Sequence, residues 1–143
     1  MISNAMLETS DLRVLVVDDD AALRRMLNMV LADAGWEVLE AKDGVEAVAM
    51  LYSCPCRLVV LLDWKMPEMS GEEVLELVKA NPELAGRHAY VLITANAAAV
   101  TPQLTELLRE LCVPVVAKPF SLLDLLDTVE HQATRIGAEK AVS

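Results

Sequence analysis

The sequence predicts one α/β domain, a doubly wound parallel sheet of five strands with five helices on its two faces. Two observations carry that expectation. Apolar runs of about five residues alternate with longer stretches at helical spacing, from Arg13 to about Ile136. Val14 to Val17 and Leu58 to Leu62 are continuous apolar runs, as in strands covered on both sides, and strand–helix alternation implies right-handed crossovers.

The elements follow in order. Val14-Leu15-Val16-Val17 is the first strand. Ala21 to Ala34 is a helix with Leu23, Met26, Leu27, Val30 and Leu31 on one stripe, and Asp20 is its N-cap. Gly35 stands where a left-handed cap ends that helix. Glu37 to Ala41 is the second strand, which Trp36 opens by packing against the sheet edge. Asp43 to Glu46 reads as a capping box for a helix reaching about Cys54. Leu58 to Leu62 is the third strand. A helix from Gly71 to about Ala80 follows, with Glu72 and Glu73 in its first turn, where the dipole favours acids. Asn81-Pro82 ends it. Tyr90 to Ile93 is the fourth strand, Gln103 to Leu111 a helix and Val115 to Ala117 the fifth strand. Ser121 caps the last helix, whose stripe holds Leu122, Leu125, Leu126 and Val129. Residues 1–10 and 137–143 read as tails around a domain at 11–136, and Ser3 to Met6 resembles an expression-tag scar.

Composition excludes several functions. A net charge of −10 over 143 residues leaves no basic face for nucleic acid or anionic lipid. No stretch offers the roughly 20 apolar residues of a membrane span, and none looks like a signal peptide. Cys54, Cys56 and Cys112 are too few and too irregularly spaced for a disulfide framework, so they read as free thiols in a reducing cytoplasm. His88 and His131 have no ligand pattern around them.

The informative polar residues sit at strand ends. Asp18 and Asp19 follow the first strand, Asp63 the third, Thr94 the fourth and Lys118 the fifth. Open α/β sheets bind ligands beyond the carboxyl ends of their strands, where the strand order reverses. In the flavodoxin-like order 2-1-3-4-5 that reversal brings Asp18, Asp19 and Asp63 into one crevice, with Thr94 and Lys118 alongside. Carboxylates ~5 Å apart at an effective dielectric near 20 repel by about 3 kcal/mol a pair, which disfavours the cluster as mere structure and suits a hard cation such as Mg²⁺. A carboxylate beside Mg²⁺ can attack phosphorus, while Lys118 and Thr94 neutralise the phosphoryl oxygens. Singly, each residue has a plainer reading: turn former, helix cap or solvated charge. Their common position at one sheet edge favours the site. Trp64, next to Asp63, reads as a partly exposed scaffold residue.

The chain resembles the receiver domains of bacterial two-component response regulators, chemotaxis regulators among them. The resemblance rests on Val14 to Asp20, on Leu62-Asp63-Trp64-Lys65-Met66-Pro67-Glu68-Met69-Ser70-Gly71, on Thr94-Ala95 and on Lys118-Pro119-Phe120, and spans residues 12–135. It implies that Asp63 is the phosphoacceptor and that Asp18, Asp19, Asp63 and the backbone carbonyl of Lys65 hold Mg²⁺. It makes Thr94 the switch hydroxyl and Lys118 the phosphoryl ligand, with a cis Lys118-Pro119 bond. The implied partner is a sensor histidine kinase or a histidine phosphotransfer protein, in the cytoplasm, with the domain a monomer or weak homodimer. The expected role is signalling, self-catalysed phosphoryl transfer and slow autodephosphorylation included, rather than enzymatic turnover.

One departure from the family is Val115, where many members carry Tyr or Phe; signalling is then expected through smaller shifts of the fourth helix. The Asn96 to Pro102 stretch is expected to move on activation. Two alternatives accompany this reading. A degenerate receiver that only binds a partner would have lost an acid, the Thr or the Lys, and none is lost. A haloacid-dehalogenase-type phosphatase, suggested by Asp18-Asp19-Asp20, would need an acidic pair after its Lys and leaves Asp63 unexplained. The sequence names no cognate kinase and no effector. It fits a free-standing shuttle or a receiver cut from a longer regulator or hybrid kinase.

Overall fold

Five parallel strands in the order β2-β1-β3-β4-β5 form the sheet of the computed structural model, which describes residues 11–137. The strands are β1 (Leu12–Val17), β2 (Val38–Ala41), β3 (Arg57–Asp63), β4 (Ala89–Thr94) and β5 (Val115–Ala117). The helices are α1 (Ala21–Asp33), α2 (Gly44–Ser53), α3 (Gly71–Lys79), α4 (Pro82–Arg87), α5 (Pro102–Leu111) and α6 (Leu122–Arg135). The expected strand order and doubly wound arrangement are both present. The tails fall outside the described residues, apart from Gly137.

Strand side chains alternate between faces, so each continuous apolar run feeds two cores at once. Leu15, Val17, Leu58, Val60, Leu62, Tyr90 and Leu92 pack with α2, α3, α4 and α5. Val14, Val16, Val59, Leu61, Val91 and Ile93 pack on the other face with Leu27 and Leu31 of α1 and Leu125 and Val129 of α6. Trp36 is buried in this second core, as expected of a residue closing the sheet edge.

The described residues contain six α-helices, not five. Asn81-Pro82 does end α3, but it also starts α4. Proline suits a first helical position, where its missing N–H would have had no partner, and the Asn81 carbonyl accepts from the Ala85 N–H at 3.1 Å. The Asp43 box also differs in detail. Asp43 accepts from the Glu46 N–H, but the Glu46 carboxylate reaches back to the Lys42 N–H instead of that of Asp43. The full reciprocal box is at Ser70 and Glu73, opening α3. Between Asn96 and Pro102 the chain forms a 3₁₀ turn, Ala97–Ala99, before Thr101 caps α5.

Cys54 and Cys56 are joined in a disulfide, contrary to the expectation of free thiols; Cys112 is free and exposed. Helix α2 ends at Cys54 in an extended conformation, and the turn through Pro55 brings the two Cα atoms to 5.3 Å, within disulfide range. A compositional rule about compartment did not register that local geometry.

His88 is a structural residue. It is fully buried; Nδ1 accepts from the Leu58 N–H at 3.0 Å and Nε2 donates to the Leu51 carbonyl at 3.1 Å. The imidazole thus ties the end of α2 to the start of β3. Burial, with lesser help from Arg87 and Arg57, pushes its pKa down to about 4.

Candidate functional site

Register brings the polar strand ends level. Val17 lies beside Leu62, Asp63 beside Ile93 and Thr94 beside Ala117, so Asp18, Asp63, Thr94 and Lys118 emerge along one edge. Backbone bonds across that edge fix them: Asp18 N–H to Ala41 O at 3.2 Å, Trp64 N–H to Ile93 O at 2.9 Å and Lys118 N–H to Thr94 O at 2.8 Å.

Carboxylate oxygens of Asp18, Asp19 and Asp63 all lie within 4.8 Å of one another. Asp18 and Asp63 are buried, while Asp19 is exposed. Lys118 Nζ stands 3.4 Å from Asp18 Oδ2 and 3.4 Å from Asp63 Oδ1. Burial pushes the Asp63 pKa up to about 6; the Asp18 charge adds to the rise and Lys118 opposes it. Burial disfavours the Lys118 charge, but Asp63 and Asp18 together outweigh it and hold the ammonium above its ordinary range. One lysine facing three carboxylates leaves the crevice net negative, and this is the electrostatic setting of a divalent-cation site.

A cleft of about 290 Å³ opens beside Asp63, lined by Trp64, Lys65, Thr94, Asn96 and Lys118 among others. Thr94 is buried and its Oγ1 accepts from the Asn96 N–H at 3.0 Å, which leaves the hydroxyl hydrogen available to an anion in the cleft. Lys65 borders the cleft and lays its ammonium over the Trp64 ring, 4.3 Å from the centroid. Trp64 itself is buried, not partly exposed as expected, because its ring joins the core packed against α3. The turn from β3 to α3 passes so near that a Cβ on Gly71 would lie 2.4 Å from the Asp63 carbonyl oxygen. The Lys118-Pro119 bond is cis, as the resemblance implied.

Every sequence-predicted site residue therefore borders this one crevice. Sequence reading missed a polar group behind it. Arg24 on α1 donates Nη1 to the Asp18 carbonyl at 2.7 Å and Nε to Glu40 at 3.1 Å, and Asn28 donates to the same Glu40 at 2.8 Å. The available signal was an acid within the otherwise apolar Val38 to Ala41 strand.

A parallel doubly wound sheet with acids and a lysine converging at its carboxyl edge defines a class of α/β protein that binds an ionic ligand at its switch point. The particular family is shown by comparison: residues 14–130 match the response regulator receiver domain, and the chain belongs to that family. It is 33% identical to the chemotaxis protein CheY of Pseudomonas aeruginosa over 126 residues, covering 87% of this chain and 98% of the relative. It is 32% identical to CheY-3 of Vibrio cholerae over 127 residues, 88% of this chain and 95% of that one. Among solved structures, a CheY-like receiver domain from Methanospirillum hungatei superposes with a TM-score of 0.76 at 28% identity, covering 88% and 97% of the two chains. The response regulator TrrA of Thermotoga maritima, solved in complex with Mg²⁺ and BeF, gives 0.70 at 29% identity over 84% and 97%.

Receiver domains are signalling domains of two-component systems, not classical enzymes. Aspartate phosphorylation and Mg²⁺ binding at an acidic pocket are general features of the family. The phosphatase alternative falls with this assignment. No helix among the described residues is long and apolar enough to cross a membrane.

Proposed function

We propose that this domain accepts a phosphoryl group on Asp63 from a phosphohistidine on a sensor histidine kinase or histidine phosphotransfer protein, with Mg²⁺ held by Asp18, Asp19, Asp63 and the Lys65 carbonyl. The observation that carries the reading is the meeting of three carboxylates within 4.8 Å with Lys118 Nζ 3.4 Å from two of them. The donor set fits Mg²⁺, being all oxygen and anionic in excess.

The chain's own residues have separable tasks. Asp63 supplies the attacking oxygen: its Oδ forms a bond to phosphorus while the bond from phosphorus to the donor's imidazole nitrogen breaks, and the electron pair leaves with that nitrogen. A buried carboxylate with a pKa near 6 is mostly ionised at neutral pH, and so competent to attack. Lys118 already faces that carboxylate and supplies positive charge to the arriving phosphoryl oxygens. The Thr94 hydroxyl donates to another of them. Mg²⁺, when bound, neutralises charge on the phosphoryl group and on the acids that would otherwise repel it. Slow hydrolysis of the aspartyl-phosphate would reset the domain.

The test is intact-mass spectrometry after incubation with Mg²⁺ and acetyl phosphate. The unmodified sequence should gain the mass of one phosphoryl group, and Asp63→Asn should gain none. Uptake by the Asp63→Asn protein, or none by the parent, would refute the assignment. A Mg²⁺ titration read by Trp64 fluorescence, the reporter being adjacent to Asp63, tests the metal part independently.

A further inference from the structure

We propose that Arg24 is a positioning residue for the divalent-cation site: it pins the Asp18 backbone so that the acids at 18 and 19 are held in place for the ion, with Glu40 and Asn28 holding its guanidinium. This rests on the reading above that those acids bind Mg²⁺.

Asp18 is restrained at almost every polar atom. Its N–H bonds to Ala41 O at 3.2 Å, Oδ1 accepts from the Asp20 N–H at 2.9 Å and its carbonyl accepts from Arg24 Nη1 at 2.7 Å. Only Oδ2 remains, and it faces Lys118. Of these anchors, the first belongs to the sheet and the second to the helix-opening turn, where the Asp20 side chain caps α1. Lys118 holds the Asp18 carboxylate from outside the turn, whereas Arg24 is the side chain that holds its backbone carbonyl. Residue 19 follows directly, so fixing the carbonyl of residue 18 fixes the peptide plane from which the exposed Asp19 departs.

The guanidinium is itself immobilised. Glu40 Oε1 accepts from Arg24 Nε at 3.1 Å, and Glu40 Oε2 accepts from Asn28 Nδ2 at 2.8 Å. The Arg24 and Glu40 side chains are only 18% and 30% exposed, so the pairing is largely shielded from solvent. Glu40 also cancels the Arg24 charge. A bare cation beside the crevice would repel a divalent ion, whereas the neutral pair contributes geometry without that cost. Two bonds in different directions from one planar group are a task for arginine; lysine offers a single ammonium and cannot reproduce both. Partners one shell removed from a metal commonly alter its affinity 10- to 100-fold.

The experiment titrates Mg²⁺ and, separately, Ca²⁺ into the parent, Arg24→Ala, Arg24→Lys and Glu40→Gln proteins, read by Trp64 fluorescence well below each protein's Tm. Arg24→Ala should bind Mg²⁺ about tenfold more weakly, and its preference for Mg²⁺ over Ca²⁺ should narrow, because a loosened turn accommodates the larger ion. Arg24→Lys should recover only part of the loss. Glu40→Gln uncovers the Arg24 charge as well as loosening the guanidinium, and added charge weakens both divalent ions alike. Its Mg²⁺/Ca²⁺ ratio is therefore the decisive readout if Arg24→Ala fails to fold, a narrowed preference supporting positioning and an unchanged ratio overturning it. An unchanged Mg²⁺ affinity and an unchanged Mg²⁺/Ca²⁺ ratio in folded Arg24→Ala, with the parent binding normally, would overturn the positioning role alone. Absence of Mg²⁺ binding by the parent would overturn the metal site and this proposal with it.

Discussion

Acidification should unlock the fold at His88. The imidazole accepts a hydrogen bond from the Leu58 N–H only when Nδ1 is unprotonated, and burial holds the folded pKa near 4 against 6.5 for the free side chain. A histidine whose folded pKa is depressed takes up its proton more readily when unfolded, so stability is lost as the pH falls below 6.5 and the loss levels off below 4. From the two values, the loss relative to pH 7 is about 2 kcal/mol at pH 5 and about 3 kcal/mol at pH 4. Other groups titrate in the same range, Asp63 among them, so the readout is a difference. Urea unfolding of the parent and of His88→Leu is measured at several pH values. At pH 7 the variant should be less stable by about 1–3 kcal/mol, because the buried Leu58 N–H loses its acceptor. That gap should close on acidification, and by about pH 4 the variant should match or exceed the parent. A gap independent of pH would refute the depressed pKa. If the variant fails to fold, NMR titration of the His88 ring in the parent decides: an inflection near 6.5 contradicts the reasoning.

Further predictions follow from the turn after β3 and from the crevice. Gly71→Ala forces its Cβ against the Asp63 carbonyl oxygen and should destabilise the domain by about 1–3 kcal/mol, visible as a lower urea midpoint; an unshifted midpoint means the turn has more room than 2.4 Å implies. Ser70→Ala removes the side-chain half of the α3 capping box and should cost about 1 kcal/mol in the same assay, while Ser70→Asp should cost little. Lys118→Met takes away the group that, among the described residues, lowers the Asp63 pKa, so that pKa should rise above 6 in a carboxyl ¹³C NMR titration, and a fall would contradict the charge balance described for the crevice.

Much of this was legible in the sequence, for identifiable reasons. A parallel strand buried on both faces has to be apolar throughout, and so Leu58 to Leu62 declares itself without reference to any neighbour. Asp20 and Ser121 announce helix starts because capping is satisfied within three residues. The strand-end placement of Asp18, Asp19, Asp63, Thr94 and Lys118 needed only the strand boundaries and one assumed order. Features that depended on distant partners were misread or missed. Trp64 reads as partly exposed from its place directly after Asp63, beside the site, yet its ring lies in a core built largely from other elements. His88 looked idle because its partners, Leu51 and Leu58, are 37 and 30 residues away. The disulfide between Cys54 and Cys56 depended on how the chain turns at Pro55, and the composition rule gave no weight to that.

By itself the sequence determined the alternation of strands and helices, and with it which residues end each strand, since hydrophobic period and capping act over a few residues. Tertiary structure alone decided the parallel register that sets those ends level, and so the distances that make three repelling acids and a lysine one site. It also placed Arg24 and Glu40 behind Asp18, because a charge on a helix meets a charge on a strand only when both pack against the same sheet.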